Sequence, residues 1–157
     1  MRVRKTAEAR KTEIIEAALR LSDKLGPERL TTDAVAEAVG LTQPGIFRHF
    51  PKKQALWEAV AAHIGAMMET RWTKAESRDA GPLDQLRALI GAQLQLIQSV
   101  PAIPAILFSR ELHTKNKGLR LAFFGLLSRF HRVIAERAGR AREAGELRDD
   151  LDPDDVA

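Results

Sequence analysis

The sequence predicts an all-α protein, in which a three-helix N-terminal unit of helix-turn-helix form is followed by a longer helical domain. Three observations carry the prediction. Apolar residues recur at alternating three- and four-residue spacing along most of the 157 residues, the period of a helix with one buried face. Gly26-Pro27, Gly40, Gly81-Pro82, Pro101 and Gly145 fall between these stretches, where helices stop. No segment alternates with the two-residue period of a strand, and no internal repeat is visible.

The first helix is predicted from Thr6 to Leu25, with Ile14, Ala18, Leu21 and Leu25 on one stripe and Gly26-Pro27 as its stop. Thr31-Thr32-Asp33 signals a second, shorter start, because a hydroxyl can accept from a free amide and an acid suits the positive helix end. Val35 and Val39 mark its inner side and Gly40 ends it. Thr42 then caps a third helix from Gln43 to Phe50, where Pro44 is tolerated because first-turn amides lack intrahelical partners. Two short helices joined through a tight Gly turn have the form of a helix-turn-helix.

A fourth helix is expected from Lys52 or Lys53 past Trp72, carrying Leu56, Val60, Ile64, Met67 or Met68 and Trp72. After Asp79-Ala80-Gly81-Pro82, the residues Leu83, Leu86, Ile90, Leu94 and Ile97 define the buried face of another, ended by Pro101. Residues 103–113 read as one short apolar helix and Thr114 to Gly118 as a polar turn. The last long helix carries Leu119, Phe123, Leu126, Phe130 and Val133 and stops at Gly145. Asp152-Pro153-Asp154-Asp155 is a strong helix start close to the last residue, so the final helices of the second domain are expected to be missing.

Composition bounds the function. With 45% hydrophobic and 29% charged residues the chain is globular material. It has no cysteine, which excludes disulfides, thiol nucleophiles and Cys-ligated zinc and fits a reducing cytosol. Met1-Arg2-Val3-Arg4-Lys5 lacks the apolar core of a secretory signal. No apolar run reaches the roughly 18–20 residues that span a bilayer. The expectation is a cytoplasmic protein with no membrane partner. The net charge of +4 is localised: residues 1–55 carry 11 Lys or Arg against 7 Asp or Glu, whereas residues 56–157 carry 14 of each. All the excess positive charge sits in the first third, as expected of a surface facing a polyanion.

The stretch from Thr32 to Leu56 closely resembles the DNA-binding signature of the TetR/AcrR-type transcriptional regulators. Ala36, Gly40, Thr42, Gly45, His49-Phe50, Lys53 and Leu56 fall where that family's pattern has them, without a gap. The resemblance covers about the first third of the chain; the remainder agrees in its helical lengths and breaks. It implies a helix-turn-helix DNA-binding domain over residues 1–50 and a ligand-binding and dimerisation domain over 51–157. It also implies a repressor that binds double-stranded operator DNA as a homodimer and answers to a small-molecule effector.

The residues support a DNA-facing role in their own right. Gly45 inside a short helix should cost about 1 kcal/mol relative to Ala, and close approach of the backbone to a groove is one reason to keep it. Gln43 carries the paired donor and acceptor that read adenine, and Arg48 can read guanine or hold a phosphate. Thr32 and Thr42 place hydroxyls beside helix N-termini, where phosphate oxygens are welcome. Lys52 and Lys53 oppose the macrodipole at the start of a helix, a sign that a bound phosphate reverses. Pro44, Phe47 and His49 complete the expected DNA-binding set. Two positions depart from the family pattern: Phe47 stands where Tyr is usual, which removes a hydroxyl, and Lys52 replaces a small capping residue. Arg2, Arg4 and Lys5 could form a basic arm.

The remaining candidates are weaker. His63, His113 and His131 lie on three predicted helices, but neither a metal site nor a cofactor is expected from them. No nucleophile–base pair, phosphate-binding loop or carboxylate pair suggests an enzyme. Pro101 and Pro104 interrupt regular packing, and a largely apolar pocket for a hydrophobic effector is expected from among Met67, Met68, Leu94, Phe108, Phe123 and Phe124. The alternatives to a regulator are a helix-turn-helix protein acting mainly through a protein partner, with DNA as its tether, and a small helical metal or ligand carrier.

Overall fold

The computed structural model describes residues 6–75 and 80–157; among these it contains nine α-helices, one 3-10 turn at Pro27–Arg29, and no strand. The helices are α1 (Ala7–Leu25), α2 (Thr32–Ala38), α3 (Gln43–His49), α4 (Lys53–Ala75), α5 (Pro82–Ser99), α6 (Ala102–Leu107), α7 (Arg110–Lys115), α8 (Lys117–Glu143) and α9 (Pro153–Val156). The all-α prediction holds. The expected basic arm at Arg2, Arg4 and Lys5 lies outside the described residues.

The chain divides into two compact units. The first takes in residues up to Ile64 together with Val100–Ala122, so it holds the expected DNA-binding segment along with α6 and α7. Local chemistry sets its helix ends. Thr6 Oγ1 accepts from Ala9 N at 3.2 Å to cap α1, and Thr31 Oγ1 accepts from Ala34 N at 3.1 Å to cap α2. Gly40, at φ +65°, lets the chain reverse after α2 while Leu41 N reaches back to Ala36 O at 2.9 Å. Inside the unit α1 packs on α2, α3 and α6. Ile14, Ala17, Ala18, Val35, Ile46, Leu56 and Ile106 are all buried there. The small faces of Ala17 and Ala18 let neighbouring helices approach α1 closely.

Gly65–Ser99 and Phe123–Ala157 form the second unit. At Gly65 two helices approach closely: an added Cβ would sit 2.6 Å from Leu126 Cδ2. Trp72 stacks on Phe130 with ring centroids 5.2 Å apart, and its indole N–H donates to Gln93 Oε1 at 3.1 Å. Glu146 Oε2 accepts from Leu83 N at 2.7 Å, satisfying a free amide in the first turn of α5.

Three readings of the second half are corrected. The polar turn expected over 114–118 shrinks to Asn116, since α7 runs to Lys115 and α8 starts at Lys117. The buried face of α5 is Leu86, Leu89 and Leu96, whereas Ile90 and Leu94 are exposed. The helix has apolar residues on two adjacent stripes, and the polar Gln93 lies on the inner one because it serves Trp72. The single helix expected over 103–113 is two, broken at Phe108-Ser109. Ser109 Oγ accepts from Leu112 N at 3.3 Å to start α7 while donating to Glu28 Oε1 at 2.8 Å.

Candidate nucleic-acid interface

α3 is seven residues long, too short to persist alone, and is held from both ends and from below. Thr42 Oγ1 accepts from Gly45 N at 3.3 Å at its start, and Phe50 N reaches Ile46 O at 2.9 Å at its end. Ile46 is completely buried and Phe50 nearly so, which seats the helix on the core of the first unit. The opposite side is open: Pro44, Phe47 and Arg48 are exposed, while Gln43, Gly45 and His49 are half-buried. Phe47 keeps 38% of its surface, so its ring is no deep core element.

The side chains of the expected DNA-binding set divide by what they touch. Among the described residues, Arg48 is free of any protein partner. Thr42 is exposed beyond its capping bond. Thr32 is buried, and its Oγ1 accepts from Gln43 Nε2 at 3.0 Å, so these two candidates from different helices meet. A Cβ at Gly45 would lie 3.4 Å from Thr42 Oγ1 and 3.5 Å from Leu41 Cβ, ordinary contact distances. The packing of the chain itself therefore leaves room for a methyl there.

Lys52 is exposed, and its carbonyl accepts from Ala55 N at 3.0 Å as α4 begins. Lys53 behaves differently. Its Nζ donates to the Leu30 carbonyl, joining the start of α4 to the loop before α2. Burial of the ammonium lowers its pKa; nearby Glu111 opposes this and Lys115 adds to it. The macrodipole penalty expected of a lysine here is thus met by a carbonyl within the chain.

Other polar contacts of this unit escaped the sequence reading. Gln54 Nε2 donates to Lys115 O at 3.2 Å, and Asn116 Nδ2 donates to Gln54 O at 3.3 Å. Asn116 Oδ1 also accepts from Leu119 N at 2.9 Å, capping α8. Asn before an apolar stripe is a cap signal that was legible in sequence; its second bond, 62 residues away in the chain, was not. An open cleft of about 460 Å³ beside α7 is lined by Glu28, Arg110, Glu111, Thr114 and Lys115, all polar.

Burial separates the six residues expected to line an apolar pocket. Met68 and Phe123 are buried and Met67 is half-buried, whereas Leu94, Phe108 and Phe124 are 55%, 79% and 68% exposed. His113 Nε2 lies 3.1 Å from Ile106 O, His63 is half-buried and His131 exposed. Among the described residues no three His, Asp or Glu side chains gather as a metal site would need, and no helix is long and apolar enough to cross a membrane.

Residues 14–60 match the family described as bacterial regulatory proteins, tetR family. The nucleoid occlusion factor SlmA of Haemophilus ducreyi is 23% identical over 146 residues, which cover 90% of this chain and 72% of that one. SlmA of Vibrio campbellii is 29% identical over 112 residues, 71% of this chain and 57% of its own length. Among solved structures, a transcriptional regulator from Saccharomonospora viridis in complex with choline superimposes with a TM-score of 0.83 at 21% identity. That match covers 96% of this chain and 78% of the other.

Proposed function

This chain belongs to the TetR family of bacterial regulatory proteins, and on that premise we propose that it is a DNA-binding regulator, a ligand-responsive repressor that grips a palindromic operator as a homodimer. The observation that carries the reading is α3, with Ile46 buried beneath it and Arg48 exposed and unpartnered above it among the described residues. A short helix anchored on one side and bare on the other is what major-groove insertion requires. The surplus of cations in residues 1–55 supplies the phosphate-binding charge.

Homodimerisation follows from the symmetry of a palindrome. It is supported by the second unit, which leaves Leu94, Phe124 and Leu127 exposed. The effector is a hydrophobic small molecule held against Met68 and Phe123, the interior members of the expected site. Its binding shifts the population between arrangements of the two recognition helices and so changes operator affinity. Selection of bound sequences from random DNA tests the whole reading: a palindromic consensus is expected, and recovery of no preferred sequence would overturn it.

Two substitutions test the contacts. Lys52 and Lys53 are assigned to phosphate, Lys53 by exchanging the Leu30 carbonyl for a phosphate oxygen. Lys53→Ala should weaken binding to all sequences alike and reduce the slope of log affinity against log salt by about one unit. A slope equal to that of the parent chain removes Lys53 from the contact set. Phe47→Tyr should tighten DNA binding by roughly 0.5–1.5 kcal/mol by supplying one hydroxyl to a phosphate. Weaker binding in a titration would show that the ring must stay apolar.

A second reading is favoured by the relatives named nucleoid occlusion factors. In it the helix-turn-helix is a tether and the chain acts mainly through a protein partner. A partner recovered by pull-down from nuclease-treated extract would support this reading over effector-driven repression.

A further inference from the structure

The contact between Thr32 and Gln43 joins the first residue of α2 to the first residue of α3. A glutamine amide has two N–H donors and one carbonyl acceptor. In this structure one donor is committed to Thr32 Oγ1 at 3.0 Å, and Thr32 is only 8% exposed, so water competes poorly for that bond. Thr32 itself is fixed in the first turn of a helix capped by its neighbour Thr31. The long side chain of Gln43 is thereby held before any DNA arrives, with its carbonyl and one N–H still to be used.

We infer that Thr32 is a specificity-determining positioning residue, which orients the Gln43 amide for an adenine edge in the major groove. The inference rests on the regulator reading and deepens it. Adenine presents an N6 donor beside an N7 acceptor, the complement of one amide carbonyl and one N–H. An amide already oriented loses less rotamer freedom on reading that edge. It also resists rotating to offer its groups in the reversed order to another base. This role differs from the phosphate contact that the sequence suggested for Thr32: a phosphate contact serves all sequences equally, and an orienting contact serves one base pair.

The test uses the full chain and the consensus obtained by random selection, with every single-base variant of that consensus as competitor. Thr32→Val keeps the branched shape and deletes the acceptor, and Thr32→Ala repeats the deletion with a smaller side chain. Each should lower discrimination at the one adenine position read by Gln43 by about three- to tenfold, the loss of one hydrogen bond, without changing the salt slope. Thr32→Ser should restore it. In a Gln43→Ala background, Thr32→Val should change discrimination no further. If instead Thr32→Val weakens binding to every sequence alike, in either background, or leaves discrimination at that position intact, the orienting role is overturned and the regulator reading stands. A parent chain that selects no sequence overturns both.

Discussion

Ile46→Ala is expected to destabilise the protein by about 2–5 kcal/mol, the usual cost of removing most of a buried aliphatic side chain and leaving a cavity behind. Ile46 has no exposed surface and is the one buried residue within α3. A seven-residue helix has little cooperativity of its own, so its position depends on that anchor. Alanine's better helix propensity returns only a few tenths of a kcal/mol. Against a total stability of roughly 5–15 kcal/mol the loss should be plain in a urea melt. Operator binding should fall with it, because the groups on the outer face lose their platform. A change below about 1 kcal/mol would mean that α3 is held by something other than its buried side, contrary to typical core truncations.

The second large effect concerns recognition. Gln43→Ala and Arg48→Ala should each remove about 1–3 kcal/mol of discrimination between the consensus and the matching single-base variant. The two residues lie five positions apart on α3 and share no partner, so their losses should nearly add in the double variant. Arg48→Ala should melt as the parent does, since Arg48 has no partner to lose among the described residues, whereas Gln43→Ala gives up its bond to the buried Thr32 and should lose about 0.5–1.5 kcal/mol of stability. Competition binding on the variant panel measures this. If both variants keep the parent's base preferences, α3 is not the reading element.

These expectations could be written from the sequence for the first third of the chain because its signals are local. Thr6, Thr31 and Thr42 each cap the helix that follows within three residues, and Gly40 permits the turn between α2 and α3. Where the determinant is distant, the sequence was silent or misleading. Ser109 looks like an interior helical residue until its bond to Glu28, 81 positions earlier, is seen. α5 offers two apolar stripes, and the polar Gln93, whose partner Trp72 lies on another helix, sits on the inner one. Leu94, Phe108 and Phe124 were expected to line a pocket beside the break at Pro101 and Pro104, but each is exposed, because apolar residues at helical spacing do not by themselves say which face is buried. At Lys53 the charge was legible, but its partner was a carbonyl, and backbone acceptors carry no mark in the sequence.

The first unit is completed by residues 100–122, which return to it after some 35 residues devoted to the second. α6 packs on α1, Ser109 bonds Glu28, Asn116 donates to the Gln54 carbonyl, and the Gln54 side chain donates to the Lys115 carbonyl at the start of α4. The unit that carries α3 therefore extends past its apparent end near residue 50 and includes residues 100–122. Grafting residues 1–50 onto another domain would leave α1 without the α6 surface it packs on, unless the recipient supplies an equivalent one. If α3 reads DNA as proposed, changing a few residues of α3 should alter specificity with less loss of stability than exchanging residues 1–50.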